Sequence, residues 1–156
     1  MKKIKTAKNC FFYAVTVIAI TALLFITGCD KTEENNIIEI REVMFMTQVN
    51  DIYLNANDFL GRTIKLEGIF TEDTWDNVYY CFVIRNAPGG CCGNDGRVGF
   101  EVKWPEDRSG ANPENNSWVE ATGVLKSYEE NANRLLYLEL TSLNVLNRRG
   151  EEFVTR

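Results

Sequence analysis

The spacing of hydrophobic positions along this chain changes character three times. Phe11 to Ile26 is an apolar run broken only by Thr16 and Thr21, and Asp30 to Asn36 is polar and without periodicity. Ile37, Ile38 and Ile40 form a short apolar run that predicts a strand. From Arg41 to Asn55, Phe45, Val49, Ile52 and Tyr53 recur at helical spacing, which predicts one short amphipathic helix. Met44 and Met46 beside it read as gap-filling core rather than as a thioether metal pair. Asn55 to Gly61 reads as a turn.

Beyond Gly61 the period falls to two, five times over. Thr63 to Phe70 carries Ile64, Leu66 and Phe70 on one face, and Gly68 predicts a bulge or sharp bend in it. Thr71 to Asn77 reads as a polar, acidic turn. Val78 to Arg85 is the second strand, with Val78, Tyr80, Phe82 and Ile84 on one face. Arg97 to Trp104 is the third, with Val98, Phe100, Val102 and Trp104 inward and Arg97, Glu101 and Lys103 outward. Glu106 to Ser117, rich in Pro, Asn, Asp and Gly, reads as a loop. Trp118 to Leu125 is the fourth strand, with Val119, Ala121 and Leu125 on one face, and Leu135 to Val145 is the fifth. Phe153 and Val154 tuck back after a turn at Asn147 to Gly150.

Five short strands, a glycine bend and no long central helix predict an all-β fold with one short N-terminal helix: a small five-stranded OB-like barrel. Pro113 and Gly110 leave no room for the usual helix between strands three and four, so the Arg41–Asn55 helix is expected to plug the barrel instead. An immunoglobulin-like sandwich is the alternative, and it wants about seven strands.

The first apolar run, 16 residues long, is short for a membrane span, which needs about 20. Behind Lys2, Lys3, Lys5 and Lys8 it fits a secretory signal better. Ile26, Thr27, Gly28 and Cys29 follow, and this quartet resembles the lipobox of bacterial lipoproteins, in which the cysteine becomes the lipidated first residue. The resemblance implies a removed signal peptide over 1–28 and palmitate-type acylation at Cys29. Residues 29–36 then form a tether, whose seven residues after Cys29 reach at most ~25 Å. That places an OB-like domain over 37–156 at the cell membrane, lipid-anchored on the extracytoplasmic face. Cys10 falls in the leader and takes no role.

Setting aside the four leader lysines, the remainder holds 13 basic residues against 22 acidic, a net charge of −9. That balance argues against nucleic acid, whose affinity rests on Lys and Arg at phosphates. The chain has no histidine, which removes the commonest general base and transition-metal ligand. In OB proteins the loops after strands one and four grip ligands. Here they carry Glu72, Asp73 and Asp76, and Glu129 and Glu130. These read as solvated turns, with a weak cation site or a face for a basic partner as the functional alternative. Trp75 and Trp118 could stack a ring but read first as packing.

Pro88 to Gly96 concentrates four glycines and the adjacent pair Cys91 and Cys92. Four readings stay open. Cys81 could bridge Cys91 or Cys92 as a structural disulfide, if the loop folds back over the strand; a simple hairpin with Arg85 opposite Arg97 puts Cys81 beside Glu101. Cys91 and Cys92, with Cys81 and Asp95, could hold zinc or copper(I), although adjacent ligands strain a tetrahedral site. The two thiols could be redox-active, without the Cys-x-x-Cys spacing that lowers a thiol pKa. The glycine N–H groups could form an anion nest.

The chain also resembles the extracytoplasmic C-terminal domain, without assigned function, of bacterial two-subunit permease proteins. The shared phrases are Asn50 to Asn55, Leu60 to Ile64 with Glu67 and Gly68, the pair Cys91–Cys92, and Trp118–Val119. The resemblance covers roughly Asn50 to Leu146. It implies an OB-like barrel that associates with a membrane permease, at times in metal homeostasis, and it brings no catalytic residues. The resulting expectation is a non-catalytic binding or accessory module, with a thiol redox protein as the alternative.

Overall fold

The computed structural model describes residues 37–88, 96–106 and 112–155. Six strands form its sheet: β1 (Ile38–Glu39), β2 (Thr63–Trp75), β3 (Val78–Ala87), β4 (Gly96–Lys103), β5 (Trp118–Glu130) and β6 (Asn133–Val145). Their order is β1-β2-β3-β4-β6-β5, and β2 also pairs with β5, so β2 to β6 close into a barrel. The β4–β6 seam is parallel, and the other barrel pairings are antiparallel. This is the connectivity of the OB barrel. β1 adds a parallel pair on β2 at Ile38↔Ile64.

One strand serves two neighbours because it bends at a glycine. β2 pairs with β5 from Thr63 to Ile69 and with β3 from Ile69 to Trp75. At Gly68, just before the exchange, an added Cβ would lie 2.6 Å from the Ile84 carbonyl oxygen. Only a residue without a side chain lets the strands approach this closely.

A 3₁₀ turn (Glu42–Met44) leads into α1 (Phe45–Leu54), and α2 (Ala56–Phe59) follows directly. The one predicted helix is therefore divided, because Asn55 leaves helical geometry at φ −115° and ψ 36°, and part of the predicted 55–61 turn is helical. The stripe Phe45, Val49 and Ile52 is buried in the same core as Leu66, Phe100 and Leu138, which is the plugging role expected of it. Each such apolar side chain contributes about 2 kcal/mol. Met46 packs against this core, whereas Met44 is exposed, contrary to the expectation for the pair. At the other end of the chain Val154 is buried, and Phe153 bridges Asn86.

The inward face of β3 is not the apolar row Val78, Tyr80, Phe82 and Ile84 but the opposite one. Val83 and Ala87 belong to the main core with Cys81 packed against it, while Phe82 and Ile84 belong to a second cluster with Ile69 and Trp118. The register explains the inversion. Arg85 stands opposite Val98, not Arg97, and Cys81 stands opposite Val102, not Glu101. A slip of one residue moves every side chain to the other face, and here it brings Val83 opposite Phe100 inside the barrel. Trp118 is packing, as first read.

Candidate functional site

Two hairpins run past the barrel wall. β2 extends five residues beyond Phe70 to Trp75, so most of the predicted acidic turn is strand, and the chain reverses in only two residues, Asp76 and Asn77. β5 likewise extends to Glu130 and reverses at Asn131 and Ala132. All four turn residues have positive φ, between 49° and 64°. That is the geometry of the tight hairpin turn whose twist matches its strands. In these extensions polar residues point to both sides, which removed the alternation that would have marked them as strand.

Between the hairpins lies a cleft of about 870 Å³. Its floor is the outward face of β3 and β4, carrying Tyr80, Phe82 and Ile84 beside Arg97, Gly99 and Glu101. Thr71, Asp73 and Trp75 form one wall, Tyr128, Glu130 and Arg134 the other, and Tyr53 of α1 closes an end. In OB barrels this face, between these two loops, is where oligomeric ligands bind. The volume falls in the range of small-molecule sites.

Every tyrosine hydroxyl around the cleft is tied to the protein. Tyr53 stacks on Phe100 with centroids 5.3 Å apart, and its hydroxyl donates to the Gly99 carbonyl at 3.0 Å. The residue as a whole is 46% exposed, yet burial around its hydroxyl pushes its pKa up to about 12, with Glu101 adding to the rise. Gly99 permits the contact between β3 and β4, since a Cβ there would lie 2.1 Å from the Val83 carbonyl oxygen. Tyr128 donates to Glu101 Oε2 at 2.8 Å, and Tyr80 donates across the cleft to Glu130 Oε1 at 3.4 Å. Burial, then Glu101, raises the Tyr128 pKa well above the ordinary value.

Glu101 lies on the outward face as predicted, yet it is only 6% exposed because the hairpins cover that face. A buried carboxylate persists when its charge is matched. Lys103 Nζ stands 2.9 Å from Glu101 Oε1, an ion pair without hydrogen-bond geometry. The same ammonium sits 3.9 Å over the Tyr128 ring and 4.9 Å from that of Tyr137. Asp73 is paired with Arg97 at 3.3 Å, and Arg134 donates to Asn57 at 2.8 Å.

Of the residues singled out in the cysteine readings, Cys81 alone is described. It is half-buried on the inward side of β3, carries a free thiol, and accepts from Asn112 Nδ2 at 3.5 Å. Burial, then Glu72, raises its pKa. It stands six residues from Ala87, about 20 Å along an extended strand. Cys29, Cys91, Cys92 and Asp95 lie outside the described residues. Among the described residues no group of three or more His, Cys, Asp or Glu is placed to hold a metal, and no helix is long and apolar enough to cross a membrane. Sequence reasoning named the two loops that flank the cleft but read them first as solvated turns, and it missed the aromatic floor between them. The signals for the cleft were the pairs Asp76–Asn77 and Asn131–Ala132, and the aromatic row Trp75, Tyr80, Phe82.

The family profile of the DUF1980 C-terminal domain matches residues 26–156. The UPF0703 protein YcgQ of Bacillus subtilis (strain 168) is 26% identical over 129 residues, covering 81% of this chain. The match spans only 44% of YcgQ's length.

Proposed function

The chain belongs to the DUF1980 C-terminal domain family, and we propose that it is a non-catalytic binding module, lipid-anchored outside the cell and accessory to a membrane permease. The observation that carries the binding role is the cleft on the outward face of β3 and β4. It combines exposed aromatic surface with polar walls, and it lies on the face where OB barrels hold their ligands. The tether reading is supported by the basic leader, the short apolar run and the quartet ending at Cys29. An acyl anchor of more than one chain holds stably, because each buried CH₂ contributes about 0.8 kcal/mol. Seven residues after Cys29 can reach at most about 25 Å, which supports a module working close to a membrane transporter.

Metabolic labelling tests the anchor. Radiolabelled palmitate is expected in the wild-type chain and absent from Cys29→Ala, with the variant released from the membrane fraction. Equal labelling of both would remove the anchor from the proposal.

A further inference from the structure

We propose that the cleft binds a neutral chain of pyranose sugars with equatorial hydroxyls, its rings lying on Trp75, Tyr80 and Phe82. This deepens the binding reading above and rests on it. The first argument is shape and surface. Tyr80 and Phe82 follow each other along β3, with rings 6.5 Å apart and 24° from parallel, and Trp75, 78% exposed, stands on the adjoining wall. A pyranose whose hydroxyls are equatorial presents two faces of C–H bonds. Those hydrogens carry partial positive charge and settle on the negative face of an aromatic ring.

The second argument is charge. Asp73 is matched by Arg97 and Glu101 by Lys103, so the cleft has already neutralised most of its own field. Among the described lining residues that leaves Glu130 and Arg134, one charge of each sign on the same wall, so the cleft carries no net charge. A cationic ligand would find Asp73 and Glu101 paired and Glu130 already accepting from Tyr80, and a polyanion would approach Asp76 of the β2–β3 turn and Glu129 near the end of β5. A neutral ligand meets neither penalty. The third argument is the walls. Arg134 and Asn131 carry donors, Glu130 and Asp73 acceptors, and Thr74 both. A lipid chain could not use those groups, whereas sugar hydroxyls donate and accept at once.

The test titrates the full-length chain in detergent with cellotetraose, chitotetraose, tetralysine and tetragalacturonate, following tryptophan fluorescence and calorimetry. One of the two neutral tetrasaccharides is expected to bind with a submillimolar Kd. Trp75→Ala is expected to weaken it at least tenfold without moving Tm, because that side chain is exposed, and Trp75→Phe to restore most of the affinity. Binding of tetralysine or tetragalacturonate alone, abolished by Trp75→Ala, would overturn the sugar assignment and keep the cleft as a binding site. Sugar binding that is indifferent to Trp75→Ala would overturn the placement, and silence from all four probes would overturn both the sugar assignment and the cleft.

Discussion

Arg85 is 1% exposed, with its guanidinium held between the rings of Phe45 and Trp118 at 4.7 and 4.9 Å. It donates to the carbonyls of Glu67 and Glu151, at 2.9 and 3.0 Å, and lies 3.4 Å from the Glu42 carboxylate. One side chain thus ties β2, the turn before α1 and the C-terminal segment together. Burial lowers its pKa and Glu42 opposes the fall. Arg85→Ala removes the packing and all three polar contacts, and chemical denaturation should show a loss of about 3–4 kcal/mol. Glu42→Gln should lose less than about 1 kcal/mol, since that carboxylate is 46% exposed and solvent screens the pair. Tyr53 supplies a pH signature. Its folded pKa of about 12 lies above the ordinary 10, so the folded state holds its proton more tightly. That contribution is complete below pH 10 and is lost as pH rises toward 12. Alkaline denaturation of Tyr53→Phe should therefore be shallower over this interval.

The hairpins are elements that the turn residues decide. Ala132 at φ 63° adopts a left-handed conformation that a side chain disfavours by about 1–2 kcal/mol. Ala132→Gly should relieve this, partly offset by unfolded-chain entropy, for a net gain of about 0.5–1 kcal/mol by thermal denaturation. Gly99→Ala should act in the opposite sense, by about 3 kcal/mol, because the added methyl collides with backbone that cannot step aside. Alternation located all five barrel strands, and Gly68 gave away the bend. It placed β4 correctly, with Phe100 and Val102 inward. It failed at β3 because Tyr80, Phe82 and Ile84 are as apolar as a core face and lie under the hairpins instead. Periodicity shows that a strand has two different faces, and pairing with Phe100 and Val102 tells which one is inside.

The closed barrel is held unevenly. β5 and β6 pair from Val119↔Val145 to Glu130↔Asn133, whereas β4 and β6 pair only at Glu101↔Tyr137, Val102↔Leu138 and Lys103↔Glu139. Native-state hydrogen exchange should find the amides across the β4–β6 seam opening before those of β5–β6. Glu101 on β4 accepts from Tyr128 on β5, reaching over β6, and Lys103 lies against the β6 ring of Tyr137, so Tyr128→Phe should speed exchange at the β4–β6 seam more than in the β5–β6 hairpin. The sequence alone determined the all-β class, the helical stripe that enters the core, and the acidic surface, because each depends on residue order or on composition. Only the tertiary structure decided where the cleft lies and which residues line it. The cleft joins Tyr53, Trp75, Tyr80 and Tyr128, separated by as many as 75 positions, and they share one wall-to-wall space because the barrel closes and its register puts them there.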